Sequence, residues 1–191
     1  MREVKKHQYS LLVTWTGNDG TFSSAPRIAL PLRQTVELPV EVHPATPGAH
    51  SAILDLRDPQ SHRTMYRAMA TVVAAEMLAD APGRTLRQTI SVARPDTQLS
   101  FVRVPAGVEA LRVQVDVPYD GLAVFVDSPS REYQQRNSRL QNKRWEGTFE
   151  KPEPGVWEIV LRNASDAREF DATRPNPLPP TPVTLTVSLL P

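Results

Sequence analysis

The chain has 191 residues, 40% of them hydrophobic and 23% charged, which is the composition of a folded globular protein and excludes wholesale disorder. Its 22 basic and 21 acidic residues give a net charge of +1, which provides no electrostatic field to recruit nucleic acid or an anionic membrane. The absence of cysteine excludes disulfides, zinc-thiolate sites and thiol nucleophiles, and nineteen prolines beside eight glycines favour a loop-rich β protein.

The first ten residues, MREVKKHQYS, carry positive charge without the apolar segment that follows it in a signal peptide. Either the protein is cytosolic, or the chain is an internal piece of a longer protein whose Met1 was added for expression. The second interpretation is favoured because a strand pattern begins almost at once, at Tyr9. No apolar run approaches the ~20 residues that span a bilayer, so no membrane segment is predicted.

In the first half of the chain, apolar and polar residues alternate with the period of a half-buried strand in residues 9–16, 36–43 and 52–56. Turns are predicted at Gly17-Asn18-Asp19-Gly20 and at Asp58-Pro59. Residues 65–79 are rich in Ala and Met and could form a helix. Their β-branched Thr71-Val72-Val73 and the lack of a capping box favour a segment that is mostly strand.

The second half repeats the alternation in residues 111–117 and 183–189, with shorter strand patterns in residues 122–126 and 157–161. Strands that bury one face, separated by Pro, Gly and Asp, are typical of antiparallel sandwiches. We therefore predict an all-β fold of two antiparallel β-sandwiches. The loosened composition of residues 80–98 places their boundary between residues 90 and 91, which gives domains 1–90 and 91–191.

His50 and Ser51, with Asp55 nearby, resemble the parts of a hydrolase triad. Adjacent residues on a strand point to opposite faces, so the side chains of His50 and Ser51 could not bond each other there. Nucleophile and base must lie within ~3 Å of each other, and no serine of the chain lies in a Gly-x-Ser-x-Gly motif. We predict no catalytic site in this chain.

Metal binding has weak signals. The four histidines (His7, His43, His50 and His62) have no ligand spacing, so a zinc site is not predicted. Acidic turns in residues 18–20, 55–58 and 116–120 could supply oxygens to calcium, although none matches an EF-hand loop. The alternative is that these side chains bond their own backbone, as Asx residues in turns commonly do. Calcium thus stays open, and no other cofactor is predicted.

A possible binding surface is centred on the basic segment REYQQRNSRLQNKR, residues 131–144. On a helix, Arg136, Arg139 and Lys143 would share one face and could hold an anion or an acidic partner. A solvated loop between two strands is the alternative. Trp145 follows this segment among charged neighbours and could be partly exposed, where an aromatic ring stacks on a sugar or a peptide, or it could pack in a core or at its rim.

Three segments carry a family resemblance: VTWTGNDGTF, residues 13–22; the run from Gly48 to Ala79, GAHSAILDLRDPQSHRTMYRAMATVVAAEMLA; and PGVWEIVLRN, residues 154–163. In order and spacing they resemble the region downstream of the catalytic domain in large bacterial subtilisin-like serine peptidases, especially those of the tripeptidyl-peptidase type. The resemblance spans most of the chain and implies a fibronectin-III-like sandwich followed by a jelly-roll-like sandwich. It also implies secretion.

The resemblance implies a non-catalytic accessory region that packs on the parent peptidase's catalytic domain and stabilises it, assists assembly or presents substrate. No catalytic residue carries over, because none of the family's Asp, His or Ser motifs is present. Other subunits, or a protein or polysaccharide surface, are further possible partners. One alternative function is a carbohydrate- or surface-binding module that uses Trp145. Another is a small enzyme in its own right. We expect this second alternative to fail, with no turnover of peptide or ester substrates.

Overall fold

The computed structural model describes residues 9–93, 96–118, 122–130, 134–136, 143–163 and 180–191, apart from the side chains of residues 82 and 134–136. Within these ranges the chain forms fifteen β-strands and two short 3-10 helices. Nearly all of the strand pairs are antiparallel, which confirms the predicted all-β fold. The chain divides into two compact units, Met1–Ala74 and Ala75–Pro191.

The first unit contains six strands. They are β1 (Tyr9–Thr16), β2 (Phe22–Ser24), β3 (Arg27–Leu30), β4 (Val40–Val42), β5 (Gly48–Arg57) and β6 (Thr64–Ala74). Four of them form an antiparallel sheet in the order β3-β1-β5-β6, while β2 and β4 pair separately. The sheet therefore has β3 at one edge and β6 at the other.

The four-stranded sheet buries one face. Leu11 and Val13 on β1 and Ile28 on β3 form its buried centre, because alternate residues of a strand share a face. Half-buried apolar side chains pack around this centre: Leu30, Val36, Leu38, Leu54 and Leu56. On the other face, the register of β1, β5 and β6 aligns Thr14, Asp55 and Arg67.

The second unit contains nine strands and both 3-10 helices. These are β7 (Glu76–Met77), helices Leu78–Asp80 and Pro82–Arg84, β8 (Thr85–Val92), β9 (Asp96–Val104), β10 (Ala110–Asp116), β11 (Leu122–Asp127), β12 (Gln134–Arg136), β13 (Arg144–Glu150), β14 (Gly155–Asn163) and β15 (Thr181–Leu190). One sheet has the order β13-β10-β15-β8 and the other has the order β12-β11-β14-β9-β7. The two-residue β7 lies parallel to β9, while the remaining pairs are antiparallel.

Strands β8 to β15 follow the connectivity of an eight-stranded double Greek key. Most consecutive strands lie in opposite sheets, and the first strand, β8, pairs with the last, β15. Both sheets contribute to one core, in which Val113 on β10, Leu185 on β15 and Ile159 on β14 are fully buried.

Two segments of the first half, residues 65–79 and 36–43, show how far the sequence pattern predicted the strands. Residues 65–79, for which helix and strand competed, are mostly strand, since β6 runs to Ala74 and β7 follows. In residues 36–43 only Val40–Val42 forms a strand. Val36 and Leu38 contact the first core from an irregular segment, so their alternation reflects burial without strand pairing.

The unit boundary lies at Ala74 and Ala75, whereas the sequence placed a domain boundary between residues 90 and 91. The predicted boundary falls within β8, which pairs along its length with β15 in the second unit. The described part of this range, residues 80–93 and 96–98, therefore forms 3-10 turns, the strand β8 and the start of β9 within that unit. Within the described residues, no helix has the length and apolar character needed to cross a membrane.

Substitution of Val113 by Asp should test the strand register of the second core. Val113 is fully buried between the paired strands β13 and β15. An unpaired carboxylate there is expected to lower the free energy of unfolding by several kcal/mol, to an order of magnitude. Chemical denaturation measures the loss. Thr148→Asp on the exposed face of β13 is the matched control, and an equal effect of the two substitutions would contradict the assigned register.

Candidate functional site

His50, near the start of β5, is buried and held by two hydrogen-bond partners. Its Nδ1 lies 2.6 Å from Oδ2 of Asp19, in the turn between β1 and β2. Its Nε2 lies 2.8 Å from the carbonyl oxygen of Thr46, in the segment before β5. Because both partners are acceptors, both ring nitrogens donate when the imidazole is protonated. His50 therefore links two loops to the end of the sheet.

The two partners shift each other's ionisation. The hydrogen bond to Asp19 raises the pKa of His50 above its usual 6.5, and the bond to Thr46 adds to this increase. The hydrogen bond from His50 lowers the pKa of Asp19 from 3.8 to about 2, helped by Thr21. Between these values the pair is an imidazolium and a carboxylate. A ring held by two acceptors in this way has no nitrogen free to act as a general base.

The structure assigns His50, Ser51 and Asp55 to different partners. Ser51 Oγ lies 2.9 Å from Oγ1 of Thr71 on β6, on the face opposite His50. Asp55 is bonded to arginine side chains on its own face of the sheet. The hydrolase geometry rejected from the sequence is absent from this cluster.

Asp55 forms a second polar cluster in the first unit and is fully buried. Arg67, opposite it on β6, donates from Nε to Oδ1 at 2.7 Å and from Nη2 to Oδ2 at 3.4 Å. Arg57 adds a third contact, Nη2 to Oδ2 at 3.3 Å. The hydrogen bond from Arg67 is the main cause of the lowered pKa of Asp55. The cluster fixes the pairing of β5 with β6 and leaves no carboxylate oxygen of Asp55 without a donor.

Two of the acidic turns proposed for calcium use their oxygens within the protein, whereas the third, residues 116–120, lies partly outside the described residues. Asn18 Oδ1 accepts from the amides of Gly20 and Phe22, and Asp58 Oδ1 accepts from the amides of Gln60 and Ser61. These are the local bonds of Asx turns. Among the described residues, no group of three or more His, Asp or Glu side chains could hold a metal ion. Calcium binding, which the sequence left open beside the backbone-bonding alternative, is untested.

Trp145 does not form an exposed platform. Its side chain is 8% exposed and belongs to the core of the second unit, opposite Val115 on β10. The charged neighbours Arg144 and Glu146 lie on the other face of β13, where Glu146 pairs with Arg112 at 2.8 Å. The suggestion that Trp145 is exposed for stacking is therefore wrong, because strand alternation separates it from its charged neighbours. Its packing alternative holds.

The basic segment is only partly described. Arg136 lies at the end of the short strand β12, paired with Phe125, so this point of the segment is extended rather than helical. Lys143 is exposed in the turn before β13 and has a positive φ of 63°. Arg139 lies outside the described residues. The proposal that these three cations share a binding face stays a prediction.

Comparison with known proteins relates the first unit to a domain of serine proteases. Residues 3–74 match the model of a family described as the Ig-like domain in actinomycete serine proteases. The sequence predicted a fibronectin-III-like sandwich for this region, and Ig-like and fibronectin-III domains share the antiparallel sandwich architecture. No curated protein matches the chain.

Among solved structures, a crystal structure of tripeptidyl peptidase 2 is similar over 98% of this chain, with a TM-score of 0.68 and 13% sequence identity. The chain spans only 16% of that protein, and the likeness at this identity concerns the fold alone. The pre-peptidase C-terminal domain of a Bacillus anthracis collagenase aligns with 60% of this chain and 93% of that domain, at 14% identity and a TM-score of 0.40. The predicted resemblance to an accessory β-sandwich region of peptidases is confirmed by the family match and the first of these folds.

The His50–Asp19 pair should make the stability of the first unit depend on pH. Because the folded pKa of His50 exceeds 6.5, its contribution is complete below 6.5 and is lost as the pH rises through the folded pKa. The Asp19 contribution is present above 3.8 and is lost as the pH falls through about 2. Hydrogen-exchange protection of β1 and β5 should therefore be greatest between pH 3.8 and 6.5.

Asp19→Asn should reduce that protection within this window and have less effect at alkaline pH, where the wild-type ring is neutral. The exposed His43 provides the matched control, and His43→Gln should leave the pH profile unchanged. An Asp19→Asn effect of equal size at all pH values would show that the ion pair does not cause the dependence.

Trp145→Ala separates a packing role from a binding role. Removal of this buried side chain is expected to cost about 3–5 kcal/mol of unfolding free energy, measured by chemical denaturation. Thr148→Ala, at an exposed position of the same strand, should have little effect. Binding of the wild-type protein to a panel of glycans provides the second measurement. If Trp145→Ala left the stability unchanged but abolished binding to one of these glycans, the stacking interpretation would be restored.

Proposed function

We propose that this chain is a non-catalytic accessory region of a secreted subtilisin-like serine peptidase. The observation that carries the proposal is the match of residues 3–74 to the Ig-like domain of actinomycete serine proteases. The fold likeness to tripeptidyl peptidase 2 supports it, because it extends through both units. The subtilisin-like class of the parent enzyme and its secretion are parts of the proposal.

The polar clusters of the first unit fit a structural role. His50 and Asp55 use their hydrogen-bonding atoms to join turns and strands, and Ser51 bonds a neighbouring strand. A catalytic nucleophile and its base would need to face one another across ~3 Å. The chain would therefore contribute to the parent enzyme through its surfaces and its stability, while the cleavage chemistry belongs to another part of that protein.

The proposed partner is the catalytic domain of the parent peptidase. An accessory domain that binds only the folded catalytic domain stabilises it by linkage, and it can also orient the domain for assembly or for substrate entry. Exposed apolar side chains supply contact area for such packing. In the first unit they include Leu32, Val40, Val42, Met65, Tyr66 and Met69.

The first test is the reading frame upstream, which should encode a Ser/His/Asp peptidase domain. The parent protein with and without these 191 residues can then be compared in peptide hydrolysis and thermal inactivation. We expect removal of the residues to shorten the half-life of activity at elevated temperature, while kcat/KM on a short peptide changes much less. The isolated chain should hydrolyse no peptide.

Val113→Asp in the parent protein should reproduce the shortened half-life, whereas Thr148→Asp should not, because only the first unfolds the second core. The accessory role would be contradicted if the upstream reading frame encoded no peptidase domain. Its role in stability would be contradicted if neither the deletion nor Val113→Asp changed the rate of thermal inactivation.

A further inference from the structure

Strand β6 leaves one side of its backbone open. It contains 11 residues, Thr64–Ala74, and in the described structure it pairs only with β5. The outward N–H and C=O groups of an edge strand can accept another strand, and natural proteins commonly block such edges. An unblocked edge of this length therefore indicates a pairing surface.

The two edges of the same sheet differ in protection. At the opposite edge, β3 has four residues and lies between Pro26 and Pro31, which cannot donate to a ladder. β6 contains no proline and no lysine. In the second unit, the edge strand β13 carries charged residues on its solvent face, namely Arg144, Glu146 and Glu150. The one charged residue of β6, Arg67, is paired with Asp55 of the neighbouring strand and leaves no unpaired charge along the edge.

β6 exposes several large apolar side chains, and the most exposed of them lies at the middle of the strand. Met69, at the middle of the strand, is 77% exposed, and Tyr66 and Val73 are 58% and 41% exposed. Because Arg67 is paired with Asp55, the edge is apolar and locally neutral, a combination that does not repel an identical edge.

We propose that β6 pairs with β6 of a second copy of this chain, antiparallel and centred on Met69. In this register Met69 faces Met69 of the second copy, Arg67 faces Thr71, and Tyr66 faces Val72. No like charges then lie opposite one another, whereas centring on Arg67 would oppose two guanidinium groups. The two-fold arrangement keeps the same face of both sheets together and gives a self-complementary interface.

A β-bulge near the start of β6 sets the length of this interface. Tyr66 pairs with Leu56 and Thr64 with Arg57, so Met65 has no partner on β5 and the strand bends there. Regular pairing can extend from Tyr66 to Val72, seven residues on each copy, symmetrically about Met69. Main-chain hydrogen bonds across these residues would supply affinity, as in strand addition by other proteins.

Sedimentation of the 191-residue chain tests the proposal, with circular dichroism to confirm folding. The wild-type chain should have twice the monomer mass. Met69→Lys should give the monomer, because two ammonium groups would oppose each other at the centre of the interface. Leu32→Lys is the matched control, since Leu32 is an 85% exposed leucine away from the edge, and this variant should stay dimeric.

Disulfide trapping tests the register, since the chain contains no cysteine. Met69→Cys should cross-link on mild oxidation, because directly opposed residues of an antiparallel pair have Cα atoms about 4.5–5.5 Å apart. Val73→Cys, on the same face, should not cross-link, since it lies opposite residue 65. A monomeric wild-type chain, a dimeric Met69→Lys variant, or cross-linking of Val73→Cys instead of Met69→Cys would overturn the proposal.

A different occupant of the edge would also be detected. If the wild-type chain is monomeric and Met69→Lys instead weakens its binding to the catalytic domain of the parent protein, β6 docks that domain and self-pairing is overturned. This result would leave the accessory role intact. Conversely, a dimer that dissociates in Met69→Lys, in a chain with no peptidase domain upstream, would support self-pairing while contradicting the accessory role.

Discussion

Successive side chains of a β-strand point to opposite faces of its sheet, and this constraint decides what the polar and aromatic residues of β5 and β13 can do. On β5 it directs His50 and Ser51 to different partners, so two residues that are adjacent in sequence share no chemistry. On β13 it buries Trp145 while Arg144 and Glu146 stay at the surface. In both strands, residues that are adjacent in the sequence lie on opposite faces of the sheet and therefore cannot form one site.

The same constraint explains which features could be predicted. The alternation in β10 and β15 specifies both strands and their buried faces from sequence alone. β13 alternates equally well, through Trp145, Gly147 and Phe149. Its charged residues, Arg144, Glu146 and Glu150, nevertheless favour a surface position for this segment when only the sequence is considered. The Asp55–Arg67 pair could not be predicted without knowing the register of the β5–β6 hairpin. The contact of Asp19 with His50 could not be predicted either, because it depends on the packing of loops 31 positions apart in the sequence.

The two units reach stability by different balances of these interactions. In the described residues, 21 buried apolar side chains form the core of the second unit, whereas three form the centre of the first. Small cores leave a domain marginally stable, so specific polar links matter more. The ion pair of the buried Asp55 with the exposed Arg67 and the two hydrogen bonds of His50 lie in the first unit, where they join strands and turns that its small core holds less firmly.

A marginal unit with an open edge also links stability to association. A partner that binds only the folded first unit stabilises it through mass action, and the folded unit stabilises the partner by the same binding free energy. If the partner is a peptidase domain or a second copy, stabilisation and assembly are then two descriptions of one equilibrium. The apolar, neutral edge of β6 and the small core of the first unit therefore have a common explanation. Apolar surface that the unit does not bury in its own core is available for contacts with a partner.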